Sequence, residues 1–284
     1  LRPLDARVAL LPRTHGSALF ARGQTKSLSI ATLGSPGNHL LFEDMEETGE
    51  KRFMHHYNFP PYSVGEVKPM RGPSRRDIGH GMLVEKAITP VLPDFEDFPY
   101  TIRVVSEIMS SNGSTSMAST CAASLALMDA GVKIKRAVAG ISIGIILDQE
   151  SGDYKLLTDI QGLEDYHGGM DFKAAGTSEG LTAIQMDVKI RGINNKMFSE
   201  ALERSKKSRL EILEKMRSVI AQPREEISPY APRVITMQID PEKIREVIGP
   251  GGKMINEIIN ATGAAIDIKD CGTIFVSSED KDAA

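Results

Sequence analysis

Between Gly162 and Gly176 the chain reads Gly-Leu-Glu-Asp-Tyr-His-Gly-Gly-Met-Asp-Phe-Lys-Ala-Ala-Gly, which gathers Glu164, Asp165, Asp171 and Lys173 in a glycine-rich connection between two strands. Carboxylates converging on such a segment can hold a hard cation such as Mg2+, which takes oxygen ligands and commonly needs only one or two protein carboxylates. The competing reading is a polar surface loop whose acids are solvated. Two upstream segments bear on the choice. In Arg71 to Gly81, Ser74 is placed to cap a helix, and Asp77, three residues on, to close a capping box. Arg75 and Arg76 then fall in the first helical turn, where the macrodipole disfavours cations. Either an anion faces them, since arginine grips phosphate bidentately, or the pair is solvated. The second segment, Ser110 to Ser116, is a run of small residues feeding an apolar helix from Met117. Free N–H groups at a helix start make an anion site; a plain Ser/Thr cap is the alternative. The Walker lysine spacing is absent, which excludes the familiar nucleotide-binding loop.

These groups need a scaffold to hold them. The chain has 284 residues, 41% hydrophobic and 25% charged, enough for roughly two domains. A formal charge of -4 excludes a whole-chain basic footprint, so any nucleic-acid contact must be local. The two cysteines, Cys121 and Cys271, lie far apart and support neither a disulfide framework nor a zinc site, which points to a reducing, cytoplasmic setting. No apolar run reaches the roughly 18 to 20 residues a membrane span needs, and no membrane association is expected. Leu1 is not a start methionine, which marks the sequence as a fragment or processed product.

Alternation and apolar runs predict strands at Val8–Leu11, Ala18–Phe20 and Leu28–Leu33, an exposed charged turn over 43–52, and a strand from Phe53 to Phe59 with His55 and His56 on opposite faces. The helix after Ser74 runs to about Val91, and strands follow at Thr101–Met109, Ala137–Leu147 and Tyr154–Thr158. In Leu181–Ile190, Ile184, Met186, Val188 and Ile190 share one face, and Gln185, Asp187 and Lys189 the other. Asn194–Ile220 is a long amphipathic helix whose stripe is core, with Arg209 a misfit. Pro223, Pro229 and Pro232 mark a linker. Beyond it come strand, helix, Gly249-Pro250-Gly251-Gly252, helix and two strands, the order of a KH module, whose loop clamps single-stranded nucleic acid. Lys243, Arg245 and Lys253 add positive charge beside that loop.

Assembled, these residues resemble the polynucleotide phosphorylases, in their second RNase PH-like half and the start of the KH domain. The matching runs are Pro-Arg-Thr-His-Gly-Ser-Ala-Leu-Phe from Pro12, His-Tyr-Asn-Phe-Pro-Pro-Tyr-Ser-Val-Gly-Glu from His56, Asp77 to Gly81, Phe98 to Thr101, Ser106 to Ile108, Ser111 to Ser114 and Met170 to Lys173. The resemblance implies an α+β fold. An RNase PH-like layered core of ribosomal-S5-like topology would cover 1–222, in sub-layers of about 1–148 and 149–222. A linker at 223–232 and a C-terminally truncated βααββ KH domain over 233–284 would follow. It implies a reversible 3'-to-5' phosphorolytic exoribonuclease that uses inorganic phosphate to release nucleoside diphosphates from single-stranded RNA 3' ends during mRNA degradation. A homotrimeric ring, RNA-degradation complex partners, and Mg2+ with Mn2+ able to substitute are also implied.

On the family pattern, Ser114, Thr115, Ser116, Arg75 and Arg76 bind phosphate, and His80, Asp165, Asp171 and Lys173 are catalytic, with Asp165 and Asp171 holding the metal. Gly249, Pro250, Gly251, Gly252 and Lys253 grip RNA. One departure is visible. The family's Gly-Asp-Met-Asp-Phe-Lys is Gly168-Gly169-Met170-Asp171-Phe172-Lys173 here, which removes an acid beside the metal position. Two rivals remain. A hydrolytic metal-dependent 3' exonuclease normally needs a denser carboxylate cluster around paired ions. A non-catalytic RNA-binding subunit has no use for Asp165, Asp171, Lys173 and the Ser/Thr turn together.

Overall fold

The alternation near the start of the chain becomes an antiparallel run of strands, β1 (Leu4–Val8), β2 (Gly16–Arg22) and β3 (Thr25–Gly34). A computed structural model describes residues 1–43, 45, 48–148 and 150–278. The first strand ends where the sequence expected it to begin, because Ala9 adopts φ 56° and turns the chain. The expected turn at 43–52 is a hairpin of two exposed strands, β4 (Leu40–Glu43) and β5 (Thr48–Lys51); Asp44, Glu46 and Glu47 lie outside the described residues. Next come β6 (Phe53–Asn58), α1 (Arg75–Ile88), β7 (Thr101–Ser110) and α2 (Thr115–Asp129). The first sheet has the order β1-β2-β3-β7-β6, with β6 parallel to β7.

The second sheet is built from β8 (Ala139–Leu147), β9 (Tyr154–Thr158), β10 (Met170–Gly176) and β11 (Leu181–Val188), in the order β11-β10-β8-β9. It therefore begins at Ala139, ahead of the expected sub-layer boundary near 149; Gln149 itself lies outside the described residues. Every residue of α2 is buried, and the helix packs against both β2–β3 and β8. Its alanines and serines keep it thin enough for that place, and Gly140 supplies the clearance, since a Cβ there would lie 2.7 Å from Met117 Sδ.

A short helix, α3 (Gly162–His167), precedes β10, and α4 (Asn195–Arg217), capped by the Asn194 side chain, follows β11. The glycine-rich stretch from Gly162 to Gly176 is thus a correction to the expected loose connection: it is a helical turn followed by a central strand. Met170, Phe172 and Ala174 supply the buried alternation that made it one. Arg209, the misfit of the α4 stripe, is buried and donates from Nε to the Thr177 carbonyl at 3.1 Å.

The third sheet, β12-β14-β13, comprises β12 (Arg233–Gln238), β13 (Ala265–Ile268) and β14 (Thr273–Ser278). Between β12 and β13 run α5 (Ile244–Ile248) and α6 (Lys253–Thr262), joined through Gly249, Gly251 and Gly252 at φ 72°, 61° and 79°. The left-handed backbone there is open to glycine at little cost. The last part of the expected KH domain, 279–284, lies outside the described residues. Among the described residues, no helix is long and apolar enough to cross a membrane.

Candidate active site

The two expected anion-binding helix starts are built differently. At α1, Ser74 and Asp77 form a complete capping box: Asp77 N–H donates to Ser74 Oγ at 3.2 Å, and Ser74 N–H to Asp77 Oδ2 at 2.8 Å. At α2, Ser114 occupies the N-cap in the left-handed region (φ 59°), and its hydroxyl is engaged with Ser142 Oγ on β8, so no side chain caps the helix. Thr115 Oγ1 accepts the Tyr57 phenol at 2.6 Å and keeps its own proton free to donate. Burial raises the Tyr57 pKa, so it remains a donor. Ser116 Oγ is buried without a hydrogen-bond partner among the described residues.

Opposite this open helix end stands β10. With Met170, Phe172 and Ala174 in the core, Asp171 and Lys173 must face the other way, and they form an ion pair at 2.8 Å. Lys173 Nζ also donates to Gln185 Oε1 at 2.8 Å. The second carboxylate oxygen of Asp171, Oδ1, is buried without a hydrogen-bond partner among the described residues. Burial raises the Asp171 pKa, against the opposing charge of Lys173. From α1, Arg76 and His80 reach the same space. His80 packs edge-on to Tyr57 at 5.2 Å, and its Nδ1 is buried without a hydrogen-bond partner among the described residues. Burial first, then the charges of Lys173 and Arg76, push its pKa down to about 3, so the imidazole is neutral at physiological pH.

Arg76, His80, Ser114, Thr115, Ser116, Asp165, Asp171 and Lys173 all line one cavity of about 460 Å3. Arg75, beside Arg76, does not line it, because neighbouring side chains in a helical turn diverge by about 100°. Nor does the glycine loop from Gly249 to Lys253, which belongs to the third sheet's module. Glu164 is a cap rather than a ligand: its Oε2 accepts from Gln161 N–H at 2.7 Å at the start of α3. Sequence reasoning passed over Lys189, which lines the cavity with its Nζ 3.7 Å from Asp165 Oδ1. The signal was present, for Lys173 pairs with Gln185 and Asp171 with Asp187 across β10 and β11, which puts Lys189 on the same face.

The departure at Gly169 has a local explanation. The glycine is buried, and a Cβ there would lie 2.8 Å from Ile190 Cγ2 and 3.6 Å from Ile145 Cγ2. Apolar side chains occupy the place that an acid at this position would enter.

A layered α+β core with a polar cavity, followed by a βααββ module, defines an RNase PH-type chain carrying a KH domain. The model of the 3' exoribonuclease family, domain 1, matches residues 1–133, and that of the KH domain matches 234–284. A crystal structure of rice (Oryza sativa) Rrp46 shares the fold, with a TM-score of 0.58 at 16% identity over 77% of this chain and 94% of that one. A Bacillus licheniformis polyribonucleotide nucleotidyltransferase is 60% identical over 99% of this chain and 40% of its own length. One from Heliobacterium modesticaldum is 57% identical over 100% of this chain and 40% of its own. Over nearly its whole length the chain is similar to these polyribonucleotide nucleotidyltransferases, and it spans about two fifths of the length of these curated relatives.

Proposed function

We propose that the chain carries the phosphate- and metal-handling half of a 3'-to-5' phosphorolytic exoribonuclease. The observation that carries this reading is that Ser116, Asp171 and His80, which line one cavity beside an uncapped helix start, each hold a buried polar atom (Oγ, Oδ1 and Nδ1) without a hydrogen-bond partner among the described residues. Leaving a buried polar atom unpaired costs about 1–3 kcal/mol, and three such atoms on residues lining one cavity favour a polar ligand there. The open end of α2 offers N–H donors to an anion, Ser116 and Thr115 offer hydroxyls, and Arg76 and Lys173 offset charge.

In the reaction, an oxygen of inorganic phosphate attacks the phosphorus of the last phosphodiester. The bond to the 3' oxygen of the preceding nucleotide breaks, that oxygen takes up a proton, and a nucleoside diphosphate leaves. The protein's task is to position anions and neutralise charge spread over the equatorial oxygens. His80, held neutral and weakly basic, orients a phosphate by a hydrogen bond rather than removing its proton. Lys189 adds a second cation at the Asp165 side.

Asp165 and Asp171 are the residues that would hold a divalent ion. Among the described residues, no group of three or more His, Cys, Asp or Glu is placed for a metal. Two carboxylates, one with a free buried oxygen, suit an ion such as Mg2+ or Mn2+ that takes its remaining ligands from water and substrate phosphates. Such an ion would act as a Lewis acid on the scissile phosphate. The sparse acids also disfavour a two-metal hydrolase. A homotrimeric ring, association with RNA-degradation partners and a cytoplasmic location accompany this reading, with the KH loop from Gly249 to Lys253 holding the RNA strand. The division at 223–232 between core and KH domain belongs to the same proposal.

The test is incubation of the full-length protein with a 3' single-stranded RNA, with and without phosphate and Mg2+. Nucleoside diphosphates released only with phosphate are expected; monophosphates released without it would overturn the reading.

A further inference from the structure

The cavity is assembled from two separate sheets. The turn at Ser114–Ser116 follows β7 of the first sheet, whereas Asp165 on α3 and Asp171 on β10 belong with the second. Something must fix the distance between them, and Asn112 stands at the junction. Its backbone N–H donates to Thr25 Oγ1 at 2.9 Å, and its carbonyl accepts from Arg2 Nη1 at 2.8 Å. Its side-chain Oδ1 accepts from Gly162 N–H, the first residue of α3, at 3.2 Å. Its Nδ2 donates to Gln161 Oε1 at 3.1 Å and to Gln24 Oε1 at 3.0 Å.

Both amide protons are thereby used, and one half of the side chain is tied to the first sheet's β2–β3 turn while the rest is tied to the start of α3. Gly113 closes the seam: at φ 79°, a Cβ on it would lie 2.8 Å from Gln161 C and Gly162 N. Behind this contact, Asp159, just before α3, is bound by Arg2 Nη2 at 2.8 Å and by the fully buried Arg22 at 3.1 Å.

We infer that Asn112 is a positioning residue that sets the separation between the anion-holding turn and the acidic wall of the cavity. This rests on the phosphorolytic reading of the site. Asn112 borders the cavity, but its donors are spent on the protein, so it acts through the turn and α3 rather than on substrate. In-line attack tolerates little displacement: a misplacement of about 1 Å can cost roughly 100-fold in rate. The amide is the side chain that fits, because the junction needs an acceptor for Gly162 and two donors for the glutamines.

The experiment is steady-state phosphorolysis of a 3' single-stranded RNA by the full-length protein at varied phosphate, with thermal melting of each variant. Asn112→Ala is expected to raise the phosphate KM about 10-fold and to lower kcat at least as much, with RNA affinity unchanged. Asn112→Asp keeps the acceptor for Gly162 and loses both donors, and Gln161→Ala removes one partner; both should show the same pattern more weakly, and they carry the test if the alanine variant does not fold. All folded variants within about 2-fold of wild type in phosphate KM and kcat, or activity lost only in step with melting temperature at unchanged phosphate KM, would overturn the inference. Should wild type release monophosphates without phosphate, the phosphorolytic reading falls instead. The clasp is then judged on kcat alone: a drop at unchanged melting temperature sustains it, and none overturns it.

Discussion

Helices α1 and α2 both begin at a serine, yet one start is closed and the other open. At α1, Ser74 and Asp77 satisfy each other's backbone donors, and the acid offsets the arginines of the first turn. At α2, the serine hydroxyl is drawn away to Ser142, and the left-handed Ser114 leaves the helix end facing the cavity. A serine before a helix therefore says little about function by itself. What matters is whether an acid follows to finish the cap, and what lies across from the open end. Here that is Asp171 and Lys173 at one side and Arg76 with His80 at the other.

The contrast can be tested by removing one group at a time. The largest effect is expected for Asp171→Asn, which keeps the shape of the wall opposite the open end and removes its charge. Phosphorolysis should fall on the order of 10²- to 10³-fold while RNA retention in a filter-binding assay persists; unchanged activity would take Asp171 out of the mechanism. Next is the support behind the open end. Burial alone would raise the Asp159 carboxyl, but the Arg2 hydrogen bond and the charges of Arg22 and Arg2 outweigh it and hold the pKa down to about 2. Because the folded value lies below the unfolded one, this stability is present at neutral pH and disappears as pH falls from about 4 to about 2, a loss of about 2 kcal/mol. Denaturant titrations across that pH range measure it.

Ser116→Ala should raise the phosphate KM about 10-fold with melting temperature unchanged, since the hydroxyl has no partner among the described residues to lose. The smallest effect belongs to the closed end. Ser74→Ala should cost about 1 kcal/mol of stability, seen as a shift of about 2–4 °C in Tm, and leave the phosphate KM alone. If Ser74→Ala moved the phosphate KM as far as Ser116→Ala, the distinction between the two ends would collapse.

Local chemistry was legible in the sequence wherever a few adjacent residues decide it. The capping box at Ser74, the strand at Tyr154–Thr158, the opposite faces of His55 and His56, and the strand and helix order of the KH module follow from neighbours in the chain. The glycine-rich stretch was misread for its backbone, because Gly162, Gly168, Gly169 and Gly176 obscure the alternation that Met170, Phe172 and Ala174 carry, while Asp165, Asp171 and Lys173 do line the cavity. Arg75 and Arg76 are alike in sequence, and only the helix phase relative to the cavity separates them. That Ser116, Asp171 and His80 each retain an atom without a partner among the described residues depends on what does not reach them, and no sequence pattern encodes that. Gly169 lies between: its identity was a visible departure, but the isoleucines that fill the space come from β8 and from beyond β11.

The junction between the sheets also bears on how the protein is made. Arg2 and Asp159 are separated by 157 residues, so their contact closes a very long loop, at an entropic cost that grows only slowly with length but must await synthesis of the second strand set. A ribosome releases about 5–20 residues per second, and the first sheet with its phosphate turn is complete in the nascent chain well before α3 and β10 emerge. A chain interrupted in that interval has the anion turn but neither Asp165 nor Asp171.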